Sequence, residues 1–225
     1  MIEITTSWRS AYPGSSIGVL VVQGVTNPQQ HLQLDEKKKD LEETLRAKFS
    51  SYDRATLKAI PVLDSYTAYY KQFNKTYHVQ HQLESLVFKN KRIPKVAALV
   101  EAMFMAELKN LLLTAGHDLN AIELPLRIDV ANGTESYIRM NGEKQMMKPG
   151  DMMIADMNGI VSCIIYGPDS RTRIRPETSR VVFTVYAPPG IEKRDVYHHL
   201  EDIQKYVDVI APEASVEILE VVGTD

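Results

Sequence analysis

The sequence predicts an α+β fold, because helical and extended patterns occupy different halves of the chain. Apolar residues recur every three or four positions across residues 35–113, whereas short β-branched and aromatic runs dominate residues 124–187. Helices followed by a series of strands favour α+β over a repeating βαβ arrangement. The chain has 225 residues, of which 44% are hydrophobic, so it can bury a sizeable core as one large domain or two small ones.

The first half begins with one strand and continues with helices. Residues 17–25, "IGVLVVQGV", are nearly all apolar and β-branched, which is typical of a strand covered on both faces. Amphipathic helices are then predicted over residues 35–50, 64–73, 78–91 and 92–113. Asp64 or Ser65 would cap the N-terminus of the helix over residues 64–73. Pro94 suits the first turn of the helix over residues 92–113. That last helix has the widest apolar face, so we expect it to be central and buried.

The second half consists of short strands separated by turns. The helical pattern is predicted to break at Gly116, after which six β-like runs end with "RVVFTVYA". Asn141-Gly142 lies between two of these runs and predicts a β-hairpin. A proline-bounded amphipathic helix and the strand "ASVEILEVV" are predicted to complete the chain.

Composition restricts the class of protein. The net charge is −3 and the isoelectric point about 6.1, which argues against a surface coated in positive charge for bulk nucleic-acid binding. Cys163 is the single cysteine, so no intrachain disulfide can form, as expected in a reducing cytoplasm. We expect no signal peptide and no membrane span, and therefore a cytoplasmic protein without a membrane partner.

Basic residues are nevertheless concentrated locally. Residues 71–95 contain six Lys or Arg and a single acid, Glu84. This segment either meets phosphates or forms a solvated helix surface. Four arginines also fall within residues 171–180, between two predicted strands. They form either a solvated turn or a site for an anion.

Several stretches in order resemble a known family. They are "YKQFNKTYHV", "IPKVAALVEAMFMAELKNLLLTAGHDL", "LRIDVANGTESYIRMNGEKQMMKPGDMMIAD" and "SCIIYGPDSRTRIRPETSRVVFTVYAP". Together they resemble the B3/B4 domain, the tRNA-binding and editing domain of the bacterial phenylalanyl-tRNA synthetase beta subunit, which also occurs as free-standing proteins. The resemblance covers roughly residues 65–191, and it depends on the order and spacing of several weak motifs.

The resemblance implies a fold and an activity. The fold would be one compact α+β domain over residues 1–225, with a β-sandwich or mixed-sheet core and helices on one side. Residues 1–63 would form a leading strand–helix region, 64–191 the core, and 192–225 a C-terminal helix and strand. In the synthetase this domain hydrolyses tyrosine wrongly attached to the phenylalanine tRNA, so the free-standing relatives would hydrolyse mischarged tRNA in trans.

The chain departs from the synthetase pattern at several positions. A Thr-Asn pair of the family helix aligns near Met103 and Phe104, and a glutamate of the pocket aligns with Thr184. Of the family's Gly-Gly turn, only the first glycine remains, at Gly167. By contrast, "GHDL" and "DSRT" resemble the free-standing branch.

Three residues are predicted to be catalytic. A histidine beside a carboxylate can act as a general base for water, which applies to His117 next to Asp118. The alternative for this pair is helix termination. Asp169 could orient Arg171 or accept a substrate amine. Glu101 would have a raised pKa if it pointed into a cavity, and would otherwise face solvent on the polar side of the helix.

The remaining candidates are assigned to binding. Substrate-binding residues would be Gly167, Ser170, Arg171, Thr172 and Thr184, and RNA-binding residues Lys89, Lys91, Arg92 and Arg173. No histidine pair has the further ligands that zinc requires, so no metal is expected. No nucleotide-binding motif occurs, so no cofactor is expected either.

The resemblance therefore implies a protein that binds the 3′ end of tRNA or aminoacyl-tRNA, not DNA, and that hydrolyses the aminoacyl ester as a deacylase. Two alternatives stay open. One is a non-catalytic RNA-binding module, which the residue at the pocket-glutamate position, Thr184, favours. The other is a binder of a free amino acid or small metabolite, which the acidic net charge favours.

Overall fold

The computed structural model describes residues 1–224, in which seven α-helices and eleven strands form. Its helices are α1 (Thr6–Ala11), α2 (Leu32–Lys48), α3 (Arg54–Lys58), α4 (Pro61–Lys71), α5 (His78–Phe88), α6 (Ala98–Asn110) and α7 (Lys193–Ile210). Its strands are β1 (Ile2–Ile4), β2 (Ser16–Gln23), β3 (Thr114–Asp118), β4 (Leu126–Val130), β5 (Ser136–Ile138), β6 (Lys144–Met146), β7 (Met152–Asp156), β8 (Gly159–Cys163), β9 (Gly167–Pro168), β10 (Arg180–Ala187) and β11 (Ser215–Gly223). The α+β prediction is confirmed.

The strands form two main sheets and one hairpin. The four-stranded sheet has the order β11-β2-β10-β3 and is antiparallel throughout. The five-stranded sheet has the order β1-β4-β7-β8-β9 and is mixed, because β1 and β4 are parallel. Strands β5 and β6 pair separately, so the hairpin predicted at Asn141-Gly142 is confirmed.

The four-stranded sheet lies between α7 and the five-stranded sheet. Gly18 and Val185 are paired on the face towards α7, where a β-carbon on Gly18 would lie 2.6 Å from Val196 Cγ1. Tyr186, the next residue of β10, points to the opposite face, since side chains alternate along a strand. There its hydroxyl hydrogen-bonds the Ser162 hydroxyl of β8. The sheets thus meet on the face that α7 does not cover.

Helix α6 is the central buried helix, as predicted. Most of its residues are buried, and it packs against α2, α7 and β3. Its start differs from the prediction, because residues 89–97 are not helical and Pro94 lies before the helix. The N–H groups of Ile93 and Val96 donate instead to glutamate side chains, at 2.8 and 3.0 Å.

Other predicted boundaries also need correction. The segment around Gly116 is not the end of a helix but strand β3, which pairs with β10. Helix α4 begins at Pro61 rather than at Asp64 or Ser65, because proline has a helical φ and needs no N–H partner at the first position. Strands β1 and β9 and helices α1 and α3 were not predicted.

None of the helices in residues 1–224 combines the length and the apolar character that crossing a bilayer requires.

We predict that Gly18→Ala destabilises the protein by about 1–3 kcal/mol, because its new methyl group would overlap Val196 on α7. Urea unfolding of the single variants and of Gly18→Ala/Val196→Ala measures the effect. The double variant should cost less than the sum of the single variants, since shortening Val196 removes the overlap. Additive costs would show that α7 does not pack this closely on β2.

Candidate functional site

A cavity of about 270 Å³ lies where α6, β3 and the turn after β8 meet. The stripe of α6 that faces it consists of Val100, Met103, Phe104 and Glu107, spaced three or four residues apart. The rest of the lining is His78, Leu113, Thr114, Ala115, Gly116, Met140, Cys163, Ile164, Gly167, Pro168, Arg173, Ile174 and Tyr186. Ligand cavities usually measure roughly 300–1,000 Å³, so this one suits a group about as large as an amino acid.

The cavity has a buried floor and an exposed mouth. Glu107, Cys163 and Tyr186 on the floor are each at most 2% exposed. Met140, Arg173 and His78 at the mouth are exposed. Aliphatic and aromatic side chains form most of the wall between them, so the cavity favours a ligand with an apolar body.

Glu107 is held by the turn that joins α6 to β3. Leu111 has a left-handed backbone, with φ of 63°, and its N–H donates to the Glu107 carbonyl at 2.7 Å. The chain then reverses so that the Thr114 N–H donates to Glu107 Oε1 at 2.8 Å. Among the described residues, no hydrogen bond or ion pair involves the second carboxyl oxygen, although Glu107 lines the cavity.

Burial controls the protonation of this carboxyl. It raises the pKa of Glu107 to about 8, against the smaller lowering effect of the Thr114 N–H. The group is therefore mostly a neutral acid at pH 7 and ionises just above neutrality. A carboxyl with this pKa can lose or accept a proton under physiological conditions.

His78 is the histidine that reaches the cavity. It is the first residue of α5, and its Nδ1 lies 3.4 Å from the Tyr70 hydroxyl. That hydroxyl already donates to the Ile164 carbonyl, so it can accept a hydrogen bond from the N–H at His78 Nδ1. This arrangement leaves Nε2 as the basic nitrogen at the mouth.

A basic groove adjoins the mouth. His78 lines both the groove and the cavity, whereas His81, Lys91 and Arg92 line the groove alone. Lys89 lies exposed just after α5. Three of the residues predicted to bind RNA thus lie in or near a surface that leads to the cavity, and the fourth, Arg173, stands at the mouth itself.

His117 lies outside the cavity lining and is part of a buried network. It is 1% exposed, and its Nδ1 lies 2.8 Å from the Thr172 hydroxyl. That hydroxyl donates to Asp169, so His117 Nδ1 carries the proton. Burial first, and then the Arg171 charge, lower the pKa of His117 to about 3. The neutral imidazole therefore ties β3 to the loop that contains Asp169 and Thr172.

Arg171 is engaged by partners within the protein. Its guanidinium binds both oxygens of Asp156, at 2.8 and 2.9 Å, and donates to the Ala121 carbonyl at 2.9 Å. The Arg171 Nε atom also lies 3.4 Å from Asp169 Oδ2. Arg173, two residues later, is exposed and donates to the Ser170 carbonyl. The arginine-rich loop therefore has one inward residue that fixes the fold and one outward residue at the cavity mouth.

Two further candidates also lie away from the cavity. Glu101 neither faces a cavity nor faces solvent: it is 4% exposed and pairs with Lys38 at 2.9 Å. Thr184 is buried in β10, and its hydroxyl approaches the Ala115 carbonyl at 3.5 Å. Of the predicted substrate-binding residues, Gly167 lines the cavity, whereas Ser170 and Arg171 line a separate shallow groove.

Within residues 1–224 no cluster of three or more potential ligands for a metal ion occurs.

Sequence reasoning missed Glu107 and His78. Glu101 and Glu107 both stand among alanine and methionine on α6, and only the turn at Leu111 distinguishes them by bringing the Thr114 N–H to Glu107. One feature of the sequence could have identified Glu107 as a site residue. Its spacing from Val100, Met103 and Phe104 places the acid on the same helix face as these three apolar residues.

Comparison with known proteins identifies a family. The family model described as the B3/4 domain matches residues 64–207, which is more than half of the chain. No match was found among curated proteins.

A solved structure has a similar fold. It is the crystal structure of an N-terminal fragment of the phenylalanyl-tRNA synthetase beta-subunit from Pyrococcus horikoshii, with a TM-score of 0.50 and 12% sequence identity. The similarity covers 96% of this chain and 50% of that chain, so this chain spans about half the length of the fragment. At this identity the similarity describes the fold alone.

We predict that Glu107→Gln changes how stability depends on pH. Burial raises the pKa of Glu107 to about 8 in the folded protein, whereas the unfolded chain releases the proton near the ordinary glutamate pKa of 4.5. Between these values the wild type should therefore lose about 1.4 kcal/mol per pH unit relative to the variant. Glutamine keeps an acceptor for the Thr114 N–H, so the variant should fold.

Urea unfolding of both proteins from pH 5 to pH 8 tests this expectation. The wild type should become progressively less stable than the variant as the pH rises. A constant difference across this range would mean that the Glu107 carboxyl is not protonated in the folded protein.

Proposed function

Because the chain belongs to the B3/4 domain family, we propose that it binds the aminoacylated 3′ end of tRNA and hydrolyses the ester of mischarged aminoacyl-tRNA. The reaction would occur in trans, on tRNA released elsewhere. Editing of this kind is needed where a synthetase cannot discriminate between similar amino acids with sufficient fidelity by binding alone.

The observation that carries this proposal is an apolar cavity whose mouth opens beside a basic groove. The cavity would hold the aminoacyl side chain against Met103, Phe104 and Ile174. The ester and the terminal ribose would then remain at the mouth. Exposed cations there suit the phosphates next to the ribose, because contacts with phosphates supply a large share of the affinity of nucleic-acid-binding proteins.

Arg173, Lys91 and Arg92 would bind these phosphates. Arg173 is exposed at the mouth, and the other two line the groove that His78 shares with the cavity. A guanidinium stays charged and offers paired donors to phosphate oxygens. In this proposal Arg171, with Asp169 and His117, fixes the loop that presents Arg173, while Glu101 and Thr184 support the fold.

The chemistry requires water at the ester carbonyl. The water oxygen would add to the carbonyl carbon while His78 Nε2 accepts a proton. The bond between that carbon and the ribose oxygen would then break, and the ribose oxygen would take up the proton. The products are a free amino acid and a tRNA with an intact 3′ hydroxyl.

We predict that His78→Ala lowers the rate of ester hydrolysis by about 100-fold, because a positioned acid–base group contributes roughly 10²–10⁴. Loss of label from tRNAs mischarged with several amino acids gives the rate. His198→Ala is the control, since His198 is an exposed histidine on α7 that pairs with Glu201. Equal rates in the two variants would remove His78 from the mechanism.

We further predict that Lys91→Ala/Arg92→Ala weakens tRNA binding and reduces its dependence on salt. Each lost phosphate contact should lower the slope of log affinity against log salt concentration by about 0.7–0.9. Lys37→Ala/Lys58→Ala is the control, because these lysines are exposed and line neither the cavity nor the groove.

The outcomes separate the rival functions. Salt-dependent binding without ester loss would indicate an RNA-binding module that lacks catalysis. Absence of any salt-dependent tRNA binding would exclude both RNA-based functions and favour a small-molecule ligand for the cavity.

A further inference from the structure

Glu107 differs from every other buried carboxyl group in residues 1–224. These groups are Glu42, Glu84, Glu101, Glu107, Asp118, Asp151, Asp169 and Asp202. Five of them have a basic partner within 4 Å: the partners are Arg46, Arg54, Lys38, Arg171 and Lys109. Asp118 and Asp151 have no such partner, but hydrogen bonds reach both oxygens of each. Glu107 alone among the eight has neither form of compensation.

The unpaired oxygen has space in front of it. Glu107 is 2% exposed, yet it lines a cavity of about 270 Å³ whose other walls are mainly apolar. A buried carboxyl without a partner is unfavourable, because it has lost its hydration and gained little in return. Protonation removes the charge of such a group, and a ligand can supply the missing partner instead; here that partner would have to enter from the cavity.

We propose that Glu107 binds a primary ammonium group of the ligand. The inference rests on the proposed function for the cavity, and it names the group of the aminoacyl ester that the floor recognises. An ammonium would supply both the N–H donor and the positive charge that five of the other buried carboxyl groups obtain from lysine or arginine. Binding of an ammonium would shift Glu107 to its ionised form, in which a ligand carboxylate or phosphate would be repelled and a hydroxyl would leave the charge uncompensated.

Two parts of an aminoacyl ester can supply this ammonium. One is the α-amino group beside the ester, and the other is an amine at the far end of the side chain. Both present the same chemistry to Glu107, but they place the apolar part of the ligand differently in the cavity. Small amino-acid amides that carry only one of these two amines distinguish the two sources of the ammonium, and the experiment needs no RNA.

The test is isothermal titration calorimetry with four probes. L-Phenylalaninamide carries only the α-amine, and Nα-acetyl-L-lysinamide carries only the distal amine. Nα-acetyl-L-phenylalaninamide and Nα-acetyl-L-norleucinamide are the corresponding probes without an amine. At least one amine probe should bind about 10- to 100-fold more tightly than its amine-free partner, as expected for a hydrogen bond between charged groups.

Glu107→Gln should abolish this preference for the amine while leaving the amine-free probes unchanged. The matched control is Glu101→Gln, which alters a buried glutamate of the same helix that lies outside the cavity lining. It should retain the preference, with folding checked by circular dichroism. Equal binding of amine and amine-free probes, a preference that survives in Glu107→Gln, or no binding of any probe would overturn the proposal.

Failure of this inference can be told apart from failure of the proposed function. If the wild type prefers amines through Glu107 but hydrolyses no mischarged tRNA, the ammonium site stands and the editing function fails. If mischarged tRNA is hydrolysed but the four probes show no dependence on Glu107, the editing function stands and the ammonium site fails.

Discussion

The turn between α6 and β3 is the constraint on which the cavity depends. Leu111 adopts a left-handed backbone that costs a residue other than glycine roughly 1–3 kcal/mol. Contacts on both sides hold it there: Tyr77 donates to the Leu111 carbonyl, and the Leu113 N–H donates to the Tyr66 hydroxyl. These two tyrosine rings stack with centroids 4.2 Å apart. Without this turn the edge of β3 would not lie beside the last turns of α6, and the cavity between these two elements would not form.

The same turn explains why a glutamate can occupy an apolar floor. Its carboxyl accepts the Thr114 N–H, so it satisfies a backbone group at the start of β3 that would otherwise be buried without an acceptor. A neutral glutamine could do the same without the unfavourable ionisation near pH 8. Glu107 therefore gives the fold little that an amide would not, which is the pattern expected of a group retained for a ligand.

The sequence predicted the fold better than the site. Helix α6 and the hairpin at Asn141-Gly142 follow from periodicity and turn chemistry, which are local properties. Strand β3 was mistaken for a helix end because "TAGHD" contains a glycine and small residues, and only pairing with β10 makes it extended. The site depends on contacts distant in sequence: nothing near Glu107 indicates that it lacks the cation that Lys38 provides for Glu101.

The arginine-rich loop shows how the predicted residues and the observed cavity are connected. His117, Thr172 and Asp169 form a buried chain of hydrogen bonds, and Arg171 joins it to Asp156. Such buried networks make the segments that they join more rigid. The loop that this network fixes begins at the Gly167 turn and continues to Arg173, both of which line the cavity. His117 and Asp169, both predicted to be catalytic, therefore shape one wall of the cavity from behind and do not line its interior.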